Sequence, residues 1–307
     1  MEAVPPNIQE IVADLADSEK PLTHAGLADL SNLNPDELKY LENAWPSIGV
    51  DRRRQVIARM VELAEDNFEL DFDSIFKTGL RDPDAEIRAK SIEGLWENEE
   101  TTLISPYIRM LNDDKSEIVQ AAAAKALSKY ALLAEMKKIG PGSSGRVSQA
   151  LLAILTDPDK PKEVWRRALE AAAPLSSPEV KKAINSAYQS TDLKLKNSAI
   201  YAMGRNCDST WIPTLIKEMA STSVETRYEA AGACGEICDE EAVPPLMKLI
   251  QDKDPEVQQA AIAALGKIGG VKAKQFLSKC LTSSDEIISE AAEQALKQIA
   301  AEEDHLF

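Results

Sequence analysis

Histidine is nearly absent from this 307-residue chain: His24 and His305 are the only two, one near each end. That scarcity excludes most imidazole chemistry. A His-based metal cluster lacks ligands, and a Ser/His/Asp or Cys/His arrangement would have to recruit its base from a terminus. Cysteine is sparse as well. Cys207, Cys234, Cys238 and Cys280 form no C-x-x-C pair of a zinc or redox site; they fall at apolar positions of the pattern described below and read as reduced core residues. Aromatics are 5% of the chain and glycine only 13 residues, which disfavours a β-rich fold. No apolar run approaches the ~20 residues of a membrane span. The start, Met1-Glu2-Ala3-Val4-Pro5-Pro6, has no basic region followed by an apolar one. No signal peptide and no membrane contact are therefore expected, and the expected compartment is the cytoplasm. Basic runs are missing too, the longest being Arg52-Arg53-Arg54, which reads as a solvated helix start. With 51 acidic against 35 basic residues the net charge is -16, so most of the surface repels a phosphate backbone and nucleic acid is not an expected partner.

What the chain does have is a repeat. Apolar residues make up 44%, and alanine occurs in runs at Ala121–Ala124 and Ala171–Ala173. A skeleton recurs every 31 residues from about Pro161 to Ala300. Its first position reads Val164, Leu195, Thr226, Val257, Ile288; four later come Ala168, Ala199, Ala230, Ala261, Ala292; three further on, Ala171, Ala202, Ala233, Ala264, Ala295. These intervals put the residues on one helical stripe, with alanine letting a neighbouring helix approach. Asp192, Asp254 and Asp285 precede the stripe, where a short carboxylate accepts from free N–H groups of a helix start, and Pro255 suits the first turn. The other half of each unit is a shorter amphipathic segment with Pro213 or Pro244 in its first turn. Each unit is thus helix A, a tight turn, helix B and a link. One pair cannot bury both its stripes, so neighbours must stack. Looser copies lie around Val119–Leu127 and Ile87–Leu95, and a degenerate one near Val56–Leu63.

The run Asp252–Gly269, D-x-D-P-E-V-x-x-A-A-I-x-A-L-G-x-I-G, resembles the HEAT-like repeat named after phycobilisome lyases. Asp82–Arg88 and Ser221–Ile237 are weaker copies, and the resemblance covers about Phe72 to Ala300. It implies an all-α, right-handed α-α superhelix, a HEAT-like solenoid of about eight helical hairpins plus an N-terminal helical cap. Such repeats occur in bilin lyases, in accessory subunits and in many adaptors. The HEAT-repeat enzyme deoxyhypusine hydroxylase resembles repeated His-Glu pairs at a di-iron site, and no His-Glu pair occurs in this sequence.

Two stretches break the period. Residues 1–50 read as the cap. Pro5–Ala16 is an acidic amphipathic segment with Ile8, Ile11, Val12 and Leu15 on one face, or alternatively a tethered recognition helix, and Asn34-Pro35-Asp36-Glu37-Leu38 is a helix start. Between irregular repeats at 51–138 and regular ones at 147–301, about 14 residues are inserted. Gly140-Pro141-Gly142-Ser143-Ser144-Gly145 reads as a Gly/Ser/Pro loop over 139–146, without the lysine of a phosphate loop. Residues 302–307 read as a tail to one continuous solenoid domain.

The functional expectation is a non-catalytic protein–protein interaction scaffold, monomeric, with no cofactor and no metal; the alternative is a bilin-lyase-like enzyme or accessory subunit. The resemblance implies that B helices line the concave side. Off-stripe residues there include Asn197, Gln258 and Gln259 and, in successive units, Trp165 and Arg166, Tyr201 and Arg205, and Arg227 and Tyr228. Aromatic and arginine side chains dominate interface energetics, so these six form a candidate protein-binding patch, suited to an acidic or extended peptide. The bland alternative is that such side chains bridge neighbouring helices, Arg88 and Arg227 above all. Trp45, Trp96 and Trp211 are expected to pack between layers.

Overall fold

A computed structural model of the chain describes residues 8–304, with side chains described as far as Ala301. His305 and the first seven residues lie outside the described residues. Among those described there are 18 α-helices, four short 3-10 turns and no strand. Two helices, α1 (Ile8–Ala16) and α2 (His24–Ala28), come first. The remaining sixteen follow as eight successive pairs: α3 (Pro35–Ala44) and α4 (Val50–Asp66), α5 (Asp73–Gly79) and α6 (Ala85–Gly94), α7 (Ile104–Asp113) and α8 (Glu117–Glu135), α9 (Pro141–Thr156) and α10 (Lys162–Ala172), α11 (Pro178–Tyr188) and α12 (Leu193–Asn206), α13 (Ile212–Glu218) and α14 (Val224–Ile237), α15 (Val243–Leu249) and α16 (Pro255–Ile268), α17 (Gly270–Cys280) and α18 (Glu286–Asp304). They group into two compact units, one of residues up to 130 with 161–167, the other of 131–160 with 168 onward. The division falls inside α8 and α10, not at the Gly/Ser stretch.

In the second unit the B helices stack in order, α12 on α14, α14 on α16 and α16 on α18. The stripe is the reason. Ala199, Ala230, Ala261 and Ala292 are fully buried, as are Thr226 and Val257. A buried valine contributes roughly 1.5–3 kcal/mol, whereas the alanines contribute mainly by letting backbones approach. Glycine does this further. A Cβ built on Gly204, Gly235 or Gly266 would lie 2.6, 2.8 or 3.2 Å from the Cα of Ala233, Ala264 or Ala295. Helix starts are capped as the sequence indicates: Asp192 accepts from the N–H groups of Lys194 and Leu195, Asp254 from those of Glu256 and Val257.

A second row ties A/B turns together through charge. Arg54 pairs with Asp84, Arg88 with Asp114, Lys196 with Glu218 and Arg227 with Asp252. Arg88 and Arg227 each grip their aspartate with two N–H groups and also donate to a carbonyl of their own turn. Planar two-point recognition of this kind is specific to arginine.

Several expectations are corrected. The Gly/Ser/Pro stretch is not a loop. Pro141 is the first residue of α9, and the N–H groups of Ser143 and Ser144 both donate to the Gly140 carbonyl. Proline is pre-set for a helix start, and the inserted residues lengthen α8 and α9. Two of the three arginines of the triplet, Arg52 and Arg53, are buried rather than solvated. Arg52 is buried and donates to the carbonyls of Asp14, Leu15 and Lys20, pinning the end of α1, which packs on α3 and α4 through Ile11, Val12 and Leu15. This docking leaves no tethered helix. Arg53 and the Trp45 indole both donate to one buried oxygen of Asp82, at 2.7 and 2.8 Å. Trp45 and Trp211 are each buried, but Trp96 is 56% exposed. Of the cysteines only Cys234 is core; Cys207 and Cys238 are exposed and end α12 and α14 in the left-handed region, at φ 53° and 57°.

Candidate partner-binding groove

Three consecutive B helices of the second unit, α12, α14 and α16, enclose a groove of about 430 Å3. Its floor is made by the small row: Gly232, Ala233, Ala260, Ala263 and Ala264. Gly232 has open space where a Cβ would be, unlike Gly235 one turn on. The 31-residue register places Tyr201, Gly232 and Ala263 at one repeat position, so the bulk of Tyr201 stands beside a gap left by its two successors. Tyr201 and Tyr228 form the aromatic walls and are 42% and 44% exposed.

The charged end of the groove is closed on itself. Glu236 takes both Arg205, at 3.2 Å, and Lys267. Burial works against its carboxylate, but these two cations outweigh burial and hold it below the usual range. Glu229 is the opposite case. Burial pushes its carboxyl up to about 7, and Glu170 and Glu225 add to the rise. Burial also raises the Tyr201 phenol, with Arg205 opposing and Glu170, Glu229 and Glu236 adding. Glu170 itself accepts a hydrogen bond from the Ser198 hydroxyl.

Of the six candidate residues, Tyr201, Arg205 and Tyr228 line this groove together. Arg227 does not: its guanidinium is held by Asp252, as the bridging alternative states. Trp165 and Arg166 belong to the first unit, and Arg166 pairs with Glu163 of its own helix. Asn197 is buried and accepts from the Thr226 hydroxyl at 2.8 Å, while Gln258 donates to the Asp252 carbonyl. Glu229, Gly232, Glu236 and Lys267 escaped the sequence reading. A glycine in mid-helix at the position of Tyr201 was the available signal; one more glutamate in an acidic chain gives none. No group of three or more His, Cys, Asp or Glu able to hold a metal is present among the described residues.

The comparisons agree with this architecture. A model of HEAT repeats matches residues 212–297, which span the groove's last two B helices. Among curated proteins the sequence has no match. Among solved structures, the complex of CpcE and CpcF of phycocyanin lyase from Nostoc sp. PCC7120 is similar at a TM-score of 0.54 and 13% identity, over 97% of this chain and 97% of that one. Yeast importin-beta (Kap95p) is similar at 0.52 and 13%, and the Kap95:Nup1 complex at 0.51 and 13%; this chain matches 46% of each of those longer chains. These likenesses show the fold alone. With its 31-residue helix pairs and its Gly/Ala row, the chain has an all-α HEAT-like solenoid fold, and residues 212–297 are HEAT repeats.

Proposed function

We propose that this protein is a non-catalytic interaction scaffold that seats a segment of a partner protein in the groove across α12, α14 and α16. The observation that carries the reading is the pairing of two exposed tyrosines with an unfilled Gly/Ala floor. Tyrosine supplies large contact area at low entropic cost and is enriched at binding hot spots. A packed solenoid has no internal need for an exposed aromatic beside a vacant Cβ position. Two of the similar structures are complexes with another protein, CpcE with CpcF and Kap95 with Nup1, in keeping with this use of the fold. Among the described residues no helix is long and apolar enough to cross a membrane. The reading places the protein in the cytoplasm as a monomer.

The test blocks the groove without touching the core. Gly232→Trp projects an indole into the groove from a position with nothing within 4 Å. Immobilised full-length protein captures partners from native lysate, with Val271→Ser, 71% exposed and outside the groove, as control. The expected result is that the control keeps the partners and Gly232→Trp loses them with its helix content unchanged. Retention of every partner by Gly232→Trp refutes the groove.

A lyase-accessory role is the second reading, favoured by the end-to-end likeness to the phycocyanin lyase complex. It expects a red shift in bilin absorbance on mixing with this chain, which a pure scaffold does not produce.

A further inference from the structure

Glu229 lines the groove beside Tyr201 and Tyr228, half-buried on α14. Among the described residues it has neither a hydrogen-bond donor nor a cation at ion-pair distance, and its charged neighbours Glu170 and Glu225 carry its own sign. The two cations that line the groove, Arg205 and Lys267, are both committed to Glu236. An acidic segment would have to break these pairs to find a positive charge. A basic one finds an unanswered carboxylate in a groove that two tyrosines also line.

We infer that the groove takes a lysine or arginine side chain from an extended basic segment of a partner protein, the cation lying against the Tyr201 and Tyr228 rings and pairing with Glu229. The inference rests on the scaffold reading and supplies the chemistry of its partner. Aromatic faces attract cations through the ring quadrupole, more strongly when the site is partly desolvated. The net charge of -16 steers a basic segment toward the surface. The bound cation also draws the proton from Glu229, whose surroundings are Glu170 on α10, Tyr201 and Arg205 on α12, Glu225, Tyr228 and Glu236 on α14, and Lys267 on α16. Binding therefore releases a proton near neutral pH.

The probe is a fluorescein-labelled ten-residue peptide of alternating Lys and Ser, read by anisotropy against the full-length chain, with Glu-Ser and all-Ser peptides as references. The Lys-Ser peptide is expected to bind at least about tenfold more tightly than the all-Ser peptide, and to tighten from pH 6 to pH 8. Glu229→Gln and the Tyr201→Ala/Tyr228→Ala double variant should each weaken it about fivefold or more at pH 8. Glu241→Gln, exposed and outside the groove, makes the same change in net charge and should leave binding within about twofold. Glu229→Gln should also remove the pH dependence. Equal effects of Glu229→Gln and Glu241→Gln, a preference for the Glu-Ser peptide, or no preference for Lys-Ser overturns the inference. Gly232→Trp separates the two failures. If it loses the native partner while Glu229→Gln keeps it, the groove stands and the basic occupant falls; if it keeps the partner, the groove itself falls.

Discussion

Two glycines three residues apart on α14 should respond to the same substitution with opposite signs. At Gly235, an added Cβ lies 2.8 Å from the Ala264 Cα and 3.0 Å from its Cβ on α16. Ordinary carbon–carbon contact is about 3.5–4.0 Å, so the two helices must part by about 0.5–1 Å. A gap of that size forfeits a quarter to a half of each dispersion contact along the interface, and overpacking of this kind typically costs about 1–3 kcal/mol. Alanine returns about 1 kcal/mol of helix propensity. Gly235→Ala should therefore destabilise by about 0–2 kcal/mol. At Gly232 nothing lies within 4 Å, so Gly232→Ala keeps the propensity gain and stabilises by about 1 kcal/mol. The comparison is a urea titration of both full-length variants followed by far-UV circular dichroism. Because both sit in one helix, unfolded-chain effects cancel, and the difference of about 1–3 kcal/mol reports packing alone. Equal midpoints for the two variants would refute the claim that glycine at 235 is there for helix approach.

Glu229 makes stability pH-dependent. Its carboxyl binds a proton up to about 7 in the fold, against an ordinary 4.5, so between those values the folded state holds the extra proton and this group's contribution falls as pH rises. The gap is worth at most about 3 kcal/mol, reduced to about 1–2 by solvent in the open groove. Glu229→Gln should thus stabilise at pH 8 and be neutral at pH 4.5, measured by thermal melts; a constant gain across that range contradicts it. Asp82→Ala leaves the buried Arg53 unpaired and the Trp45 indole without its acceptor, which should cost about 3–5 kcal/mol in the same urea titration; a loss below 1 kcal/mol means the cluster is not buried as described. Gly142→Ala and Gly145→Ala lie in α9 with open space around them, so each should raise the unfolding free energy by about 0.5–1 kcal/mol. A mobile loop there would show no gain.

The repeat was legible because its information is periodic. Val164, Ala168 and Ala171 say little alone, but five copies at 31 residues identify the face that must be buried. The Gly140–Gly145 stretch misled because composition weighed more than position: Pro141 and the residues after it fit a helix start as well as a turn, and only the pairing of Ser143 and Ser144 with Gly140 decides. Arginine roles were half legible. Arg227 follows a core position in a register where cations reach the next turn's carboxylate, whereas Arg205 occupies a different register and meets Glu236 on the neighbouring helix. Tyr201 and Tyr228 stood out by rarity. Glu229 could not, since its distinction is the absence of a partner, which is a property of neighbours and not of the residue.

The stack carries its own order in its charges. The contacts of Gly204 on Ala233 and Gly235 on Ala264 are alike, so removing one 31-residue unit would let Gly204 settle on Ala264 without protest. Arg205, Glu236 and Lys267 are not interchangeable in that way. The same excision would set Arg205 against Lys267, cation to cation, at the mouth of the groove. Packing makes the units modular, while the alternating charge row makes their sequence non-commutative, so the groove can exist only where those three units follow one another as they do.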